Sequence, residues 1–187
     1  MLVLISIFYL TYIGKQILLK KQGIDGTRLG KGSKPRRTLL IETFLLAGTY
    51  GMAVIQYASI LFEGKLKIIL DQDLIRVIGV AAAFLGVCIF VNAVIVMRDS
   101  WRAGVEEGQR TRIVTAGVYR ISRNPAFVGF DLIYLGTALS FSNYASIFGA
   151  VFVIVLFHLQ ILEEEKLLPG IFGQEYLDYC KATRRYL

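Results

Sequence analysis

Polar and titratable residues in this chain collect in two stretches, 98–131 and 158–185. In the first, Arg120-Ile-Ser-Arg123-Asn124-Pro125 places a proline where a helix would begin and an asparagine just before it. Proline suits the first helical turn, and the residue preceding it is pushed to extended geometry, where asparagine can cap. Such a helix start presents free N–H groups and attracts an anionic group such as a carboxylate. The same residues also describe a plain capped helix entry whose arginines snorkel to lipid phosphates. In the second stretch Glu163, Glu164 and Glu165 close an apolar run. Carboxylates at a helix C-terminus oppose the helix dipole. They need a cation, a hydroxyl-rich ligand or nearby arginines such as Arg120 or Arg123 to compensate them.

Asp131 lies inside a short apolar stretch, where an acid is a functional candidate by default. It is about one and a half helical turns past Pro125, within reach of interfacial water or an arginine. His158 is the sole histidine, and the cysteines are only two, Cys88 and Cys180. That excludes a disulfide framework and a cysteine zinc site, and no metal is expected. Glu106 and Glu107 read as solvated. The sequence has no P-loop, no H-E-x-x-H and no G-x-G-x-x-G after a strand. Neither Ser122 nor Ser140 has a histidine near it in sequence, so a serine triad has no support.

The elements that must position these residues are apolar. The chain has 187 residues, 55% hydrophobic and 19% charged. A soluble domain of this size could not bury so much apolar surface, and a disordered chain would lack it. Five stretches approach the roughly 20 residues that cross a bilayer. They are Met1 to Leu19, Leu39 to Phe62, Leu74 to Met97, Ala126 to Phe141 and Tyr144 to Leu162. Only Ser142 and Asn143 separate the last two, which predicts a tight antiparallel hairpin. Pro169 and Gly170 are expected to break the chain after the fifth. Beyond them Tyr176, Tyr179, Cys180 and Thr183 fall at helical spacing, which predicts a short amphipathic helix with tyrosines at headgroup level.

Lysine and arginine number seven in 20–38, two in 63–73, six in 98–124, none at the hairpin tip and four in 163–187. This alternation fits five crossings with the N-terminus outside and the C-terminus cytoplasmic. It also accounts for the net charge of +7 without nucleic acid. The first stretch lacks a basic n-region and a small-residue cleavage site, so it reads as a retained helix rather than a cleaved signal. The expected fold is an all-α, multi-pass integral membrane protein, with a short cytoplasmic amphipathic C-terminal helix. Residues 1–187 form one membrane-embedded domain: three N-terminal helices within residues 1–97, then loop, hairpin and tail over 98–187. Its small size suits a prokaryotic inner membrane.

Two blocks then carry a resemblance. Ile113-Val114-Thr115-Ala116-Gly117-Val118-Tyr119-Arg120 with Ser122-Arg123-Asn124-Pro125-Ala126-Phe127-Val128-Gly129 resembles the core motif of isoprenylcysteine carboxyl methyltransferases and related phospholipid methyltransferases. Glu164-Glu165-Lys166-Leu167-Leu168, Phe172-Gly173-Gln174-Glu175-Tyr176, Tyr179 and Arg184 resemble the carboxy-terminal signature of the same family. The resemblance covers roughly the C-terminal half. It implies S-adenosylmethionine as methyl donor and a lipophilic acceptor, a lipid or prenylcysteine-like molecule. Carried over by position, Thr111, Arg112, Ile113 and Val114 would line the adenosyl pocket. Tyr119, Arg123, Asn124, Pro125 and Phe127 would contact the cofactor, and Glu164 would bind it. Asn124 stands where the family usually has histidine. Gln160 stands at the position of a substrate-binding arginine in the prenylcysteine enzymes. For an acceptor that must lose a proton, Asp131, His158 and Glu165 are the candidate helpers. Two other classes remain open. One is an NADPH-dependent membrane reductase of the sterol or enone type, its 2′-phosphate held by Arg120, Arg123, Arg184 and Arg185. The other is a non-enzymatic membrane protein that binds lipid or a partner.

Overall fold

The computed structural model describes residues 1–27, 29–31, 34–66, 68–70, 72–101 and 112–187. Its elements follow from the apolar runs. They are helices α1 (Leu2–Lys21), α2 (Arg36–Leu61), α3 (Asp73–Met97), α4 (Pro125–Phe141), α5 (Tyr144–Phe172) and α6 (Gln174–Ala182). Among the described residues no strand is present, and α1, α2, α3 and α5 are each long and apolar enough to cross a membrane. The shorter α4 has 17 residues, about 26 Å at 1.5 Å per residue. Apolar side chains cover the outside: Leu10, Val54 and Phe148 are each about 70% exposed, as lipid-facing residues should be. The fold is that of an all-α, multi-pass membrane protein.

The hairpin forms as its two-residue link requires. Ser142 adopts a left-handed conformation with φ 40° and ends α4, its N–H donating to the Ala138 carbonyl at 2.8 Å. Asn143 caps α5, its Oδ1 accepting from the Ser146 N–H at 2.9 Å. The same end of the bundle is tied by Asn143 to Ser59 at 2.9 Å and by Arg76 to Glu63. The polar site lies at the other end, where α1 and α3 finish, α2 and α4 begin, and α5 and α6 meet.

Backbone proximity fixes α3 against α4. Gly79 and Gly86 of α3 face Gly136 and Gly129 of α4. A Cβ at Gly136 would lie 2.5 Å from the Gly79 carbonyl, and one at Gly86 would lie 2.7 Å from the Gly129 carbonyl. In lipid no hydrophobic force draws helices together, so close van der Waals contact of this kind holds them. Helix α1 packs on α3 through Phe8 and Phe90, whose rings meet edge to face at 4.7 Å. Its link to α2 is polar: the Tyr9 hydroxyl donates to Gln56 Oε1 at 2.6 Å.

One expectation is corrected. Helix α5 does not end at the glutamates, and Pro169 and Gly170 do not break it; it runs on to Phe172. The acids are tolerated because each finds a partner. Glu163 accepts from Thr38 and Lys166, at 2.7 and 2.6 Å, Glu164 accepts from Gln160 at 3.0 Å, and Glu165 takes two arginines. Pro169 removes the N–H that would bond the Glu165 carbonyl, and the helix continues past it only by Gly170, Ile171 and Phe172. Gly173, with φ 58°, then makes the corner into α6. The α6 tyrosines pack against the protein. Tyr176 is buried, and the Tyr179 hydroxyl donates to the Tyr119 carbonyl at 2.6 Å.

Gly136→Leu should therefore push α3 from α4 and lower the thermal midpoint in detergent, an overpacking loss of about 1–3 kcal/mol or more. Gly51, with no atom within 4 Å of its added Cβ, should accept alanine without loss. Equal midpoints for the two variants would contradict this packing.

Candidate functional site

The segment before α4 is shaped by Gly117. Its φ of 59° lies in the left-handed region, and a Cβ there would meet Val96 at 2.9 Å. A short 3₁₀ turn over Gly117–Arg120 follows, with Tyr119 buried and its hydroxyl 2.8 Å from Met97 Sδ. The chain then runs beside the C-terminal tail. The Arg123 N–H donates to the Arg184 carbonyl at 2.9 Å, and Asn124 Nδ2 to the Arg185 carbonyl at 3.1 Å.

One carboxylate fastens these segments. Glu165 of α5 lies 2.7 Å from Arg123 and accepts a two-pronged contact from Arg185, at 3.0 and 2.6 Å. Arg123 also donates to the Thr183 carbonyl at 2.7 Å. Burial works against the Arg123 charge, but the Glu165 carboxylate outweighs it and the pKa moves up. Burial raises the phenols of Tyr119 and Tyr176, and pushes Tyr179 up to about 12, so all three stay neutral hydroxyls near pH 7.

Above this clasp lies a cavity of about 550 Å³. At its polar end the walls are Arg112, Ile113, Val114, Tyr119, Arg123, Asn124, Pro125, Ala126 and Phe127, with Glu164, Leu168 and Phe172 of α5 and Tyr176 and Tyr179 of α6. Asn124 does not cap α4, because its side chain turns to the tail; the first N–H groups of the helix have no side-chain cap among the described residues. The cavity continues into the bundle past Phe130, Tyr134 and Phe157. It reaches α1 and α2 at Tyr9, Tyr12, Ile13, Leu46, Tyr50, Ala53 and Tyr57.

Of the candidate site residues named from the sequence, nine line this space: Arg112, Ile113, Val114, Tyr119, Arg123, Asn124, Pro125, Phe127 and Glu164. Thr111, Glu106 and Glu107 lie outside the described residues. Asp131, His158, Glu165 and Gln160 are not among the described residues of the cavity wall. His158 Nδ1 meets the Tyr186 hydroxyl at 2.6 Å, and Asp131 Oδ1 is buried with no hydrogen-bond partner among the described residues. Gln160 is buried behind Glu164, donating to it at 3.0 Å. No group of three or more metal-ligating side chains occurs among the described residues.

Sequence reasoning missed Trp101 and the whole α1–α2 wall, and it named Tyr176 and Tyr179 without giving them a place in the site. The signal for the α1–α2 wall was present. Tyr9 and Tyr12 are spaced i, i+3, and Tyr50 and Tyr57 i, i+7, so each pair shares a helix face.

A profile of the family described as phospholipid methyltransferase matches residues 74–175. Named relatives are similar over more of the chain. Protein-S-isoprenylcysteine O-methyltransferase B of Arabidopsis thaliana is 29% identical over 151 residues, 76% of this chain and 75% of the relative. Protein-S-isoprenylcysteine O-methyltransferase of Rattus norvegicus is 30% identical over 157 residues, covering 79% of this chain. The Homo sapiens protein of the same name is 29% identical over 155 residues. The chain matches 54% of the length of each of the two mammalian proteins.

Replacing Glu165 by glutamine should release the tail. Residues 173–187 should become sensitive to limited proteolysis and faster in amide exchange, while α1 to α3 keep their protection. Unchanged protection of the tail would show that the clasp does not hold it.

Proposed function

The chain belongs to the phospholipid methyltransferase family, and we propose that it transfers a methyl group from S-adenosylmethionine to a lipophilic acceptor, a lipid or a prenylcysteine-like molecule. The observation that carries this reading is continuity: one cavity joins Glu164 and the start of α4 to a wall made by α1 and α2. A water-soluble donor and a bilayer-soluble acceptor need such a joined space.

The residues at the polar end fit the donor. The uncapped start of α4 suits a methionyl carboxylate. The Glu164 carboxylate suits an ammonium group or ribose hydroxyls. The faces of Tyr119, Phe127, Tyr176 and Tyr179 suit a sulfonium by cation–π attraction. Arg112, Ile113 and Val114 would line the adenosyl moiety. When bound, S-adenosylmethionine supplies a methyl carbon already activated for displacement. The chain then has to align the acceptor oxygen, nitrogen or sulfur with that carbon and keep water away.

Glu164 is the sole carboxylate among the described lining residues, and no histidine is among them. A carboxylate acceptor needs no base. An amine or thiol would need a proton carrier such as Asp131 or His158, which would have to act from outside the wall. The reductase reading is weaker here. Arg123 and Arg185, two of the arginines it would use, are held by Glu165. The positive segments on either side of α2 and α3 would place the polar end at the cytoplasmic face.

The detergent-purified protein should bind S-adenosylhomocysteine in calorimetry, and Glu164→Ala should weaken that binding by about tenfold or more. NADPH should give no binding heat. NADPH binding without adenosyl binding would sink the proposal. Ala53→Trp, which narrows the cavity beside α1, should raise KM for a lipophilic acceptor and leave adenosyl affinity unchanged. An unchanged KM would place acceptor entry elsewhere.

A further inference from the structure

We infer that Gln160, oriented by the buried Glu42–Lys34 pair, is a positioning residue that aims the Glu164 carboxylate into the cavity; the inference rests on Glu164 being a donor contact. Gln160 and Glu42 are each 1% exposed. The Gln160 Nε2 group donates to Glu164 Oε1 at 3.0 Å and approaches Glu42 Oε1 at 3.4 Å. Ionised carboxylates only accept, so the amide must turn its nitrogen toward both of them. The reverse orientation would set its oxygen against two negative groups. The consequence is that Gln160 Oε1 points away and is buried with no hydrogen-bond partner among the described residues.

That unmet acceptor is informative. Leaving a buried carbonyl without a partner is unfavourable, and native interiors rarely do it. Methionine or leucine would fill the same space between α2 and α5 without this penalty. A polar donor in that place is explained by what its N–H groups do, which is to hold Glu164 from behind. Breaking a local rule in this way marks residues retained for a site rather than for stability.

Glu42 fixes the other side of the amide. Its Oε1 accepts from Lys34 Nζ at 2.6 Å, with both side chains almost fully buried. Its Oε2 accepts from the Gly30 N–H at 2.9 Å. Lys34 cancels the Glu42 charge locally, so Glu42 anchors Gln160 without repelling Glu164. Gly30 and Lys34 belong to the connection between α1 and α2, and Leu29 beside them lines the cavity. The chain of contacts therefore runs from that connection through Glu42 and Gln160 to Glu164.

The test is Gln160→Met in the full-length protein. Its thermal midpoint should change little, because the unmet carbonyl goes together with the bond to Glu42, which keeps Lys34 and the Gly30 N–H. Its affinity for S-adenosylhomocysteine should fall about tenfold, and KM for S-adenosylmethionine should rise more than kcat falls. In a Glu164→Gln background the same change should weaken binding far less, since the group being aimed is altered. Full adenosyl affinity in Gln160→Met, or an equal loss in both backgrounds, would overturn the inference while leaving the donor site intact. Absence of adenosyl binding in the parent protein would instead remove the functional reading itself. If Gln160→Met does not fold, the joint variant Glu42→Gln with Lys34→Met decides. It should also weaken adenosyl binding, and unchanged binding would overturn the inference.

Discussion

Glu165 sits between Arg123 and Arg185, and the polar end of the molecule is organised around that contact. The three residues belong to three separate segments: α5, the turn before α4, and the extreme tail. An ion pair at an exposed surface contributes little, because water competes for both partners. Here Arg123 and Glu165 are mostly shielded, and the guanidinium also holds two tail carbonyls. The contact therefore determines geometry. It brings α6 across the mouth of the bundle, which in turn places Tyr176 and Tyr179 over Tyr119. Without it the cavity would lose one wall. The three consecutive glutamates divide the labour: Glu163 ties α5 to the start of α2, Glu165 ties it to the tail, and Glu164 faces the cavity.

The glycine contact of α3 and α4 plays the complementary role. The start of α4 can be a stable cavity-facing terminus only if the helix behind it cannot shift. Gly129 and Gly136 let two backbones touch, and Phe90, Phe130 and Phe157 fill the space around them with edge-on and tilted rings. The profile match begins at the first residues of α3 and extends to the start of α6. It thus spans the helix pair, the hairpin and the site they hold.

Much of this was readable from residue types. The five long apolar stretches became α1 to α5 with ends shifted by a few residues, apart from α5. Pro125 marked the start of α4, and the two-residue link marked the hairpin. Most of the polar wall was readable through the family resemblance, whose two blocks carry the residues around 113–129 and Glu164. The lipid-side wall was not, for a physical reason. A membrane helix is apolar all round, so no polar stripe shows which face turns inward. Only the tyrosine spacing hinted at it. The extra turns of α5 were hidden because Pro169 normally ends a helix, and the compensation of Glu163 and Glu165 comes largely from Thr38, Arg123 and Arg185, far from them in the chain. The resemblance alone places Gln160 at an acceptor contact, and no local pattern shows that Glu42, 118 positions earlier in the chain, lies beside it.

The cavity wall shared by α1 and α2 has a consequence for how this protein would count its acceptor. A molecule dissolved in the bilayer is present at a mole fraction of the lipid, not at a bulk molarity. Its occupancy of a site walled by membrane helices follows that two-dimensional density, whereas the donor is counted in the surrounding water. Adding inert lipid or detergent would then dilute one substrate and leave the other untouched, so a Michaelis constant for the acceptor has meaning only per unit of membrane.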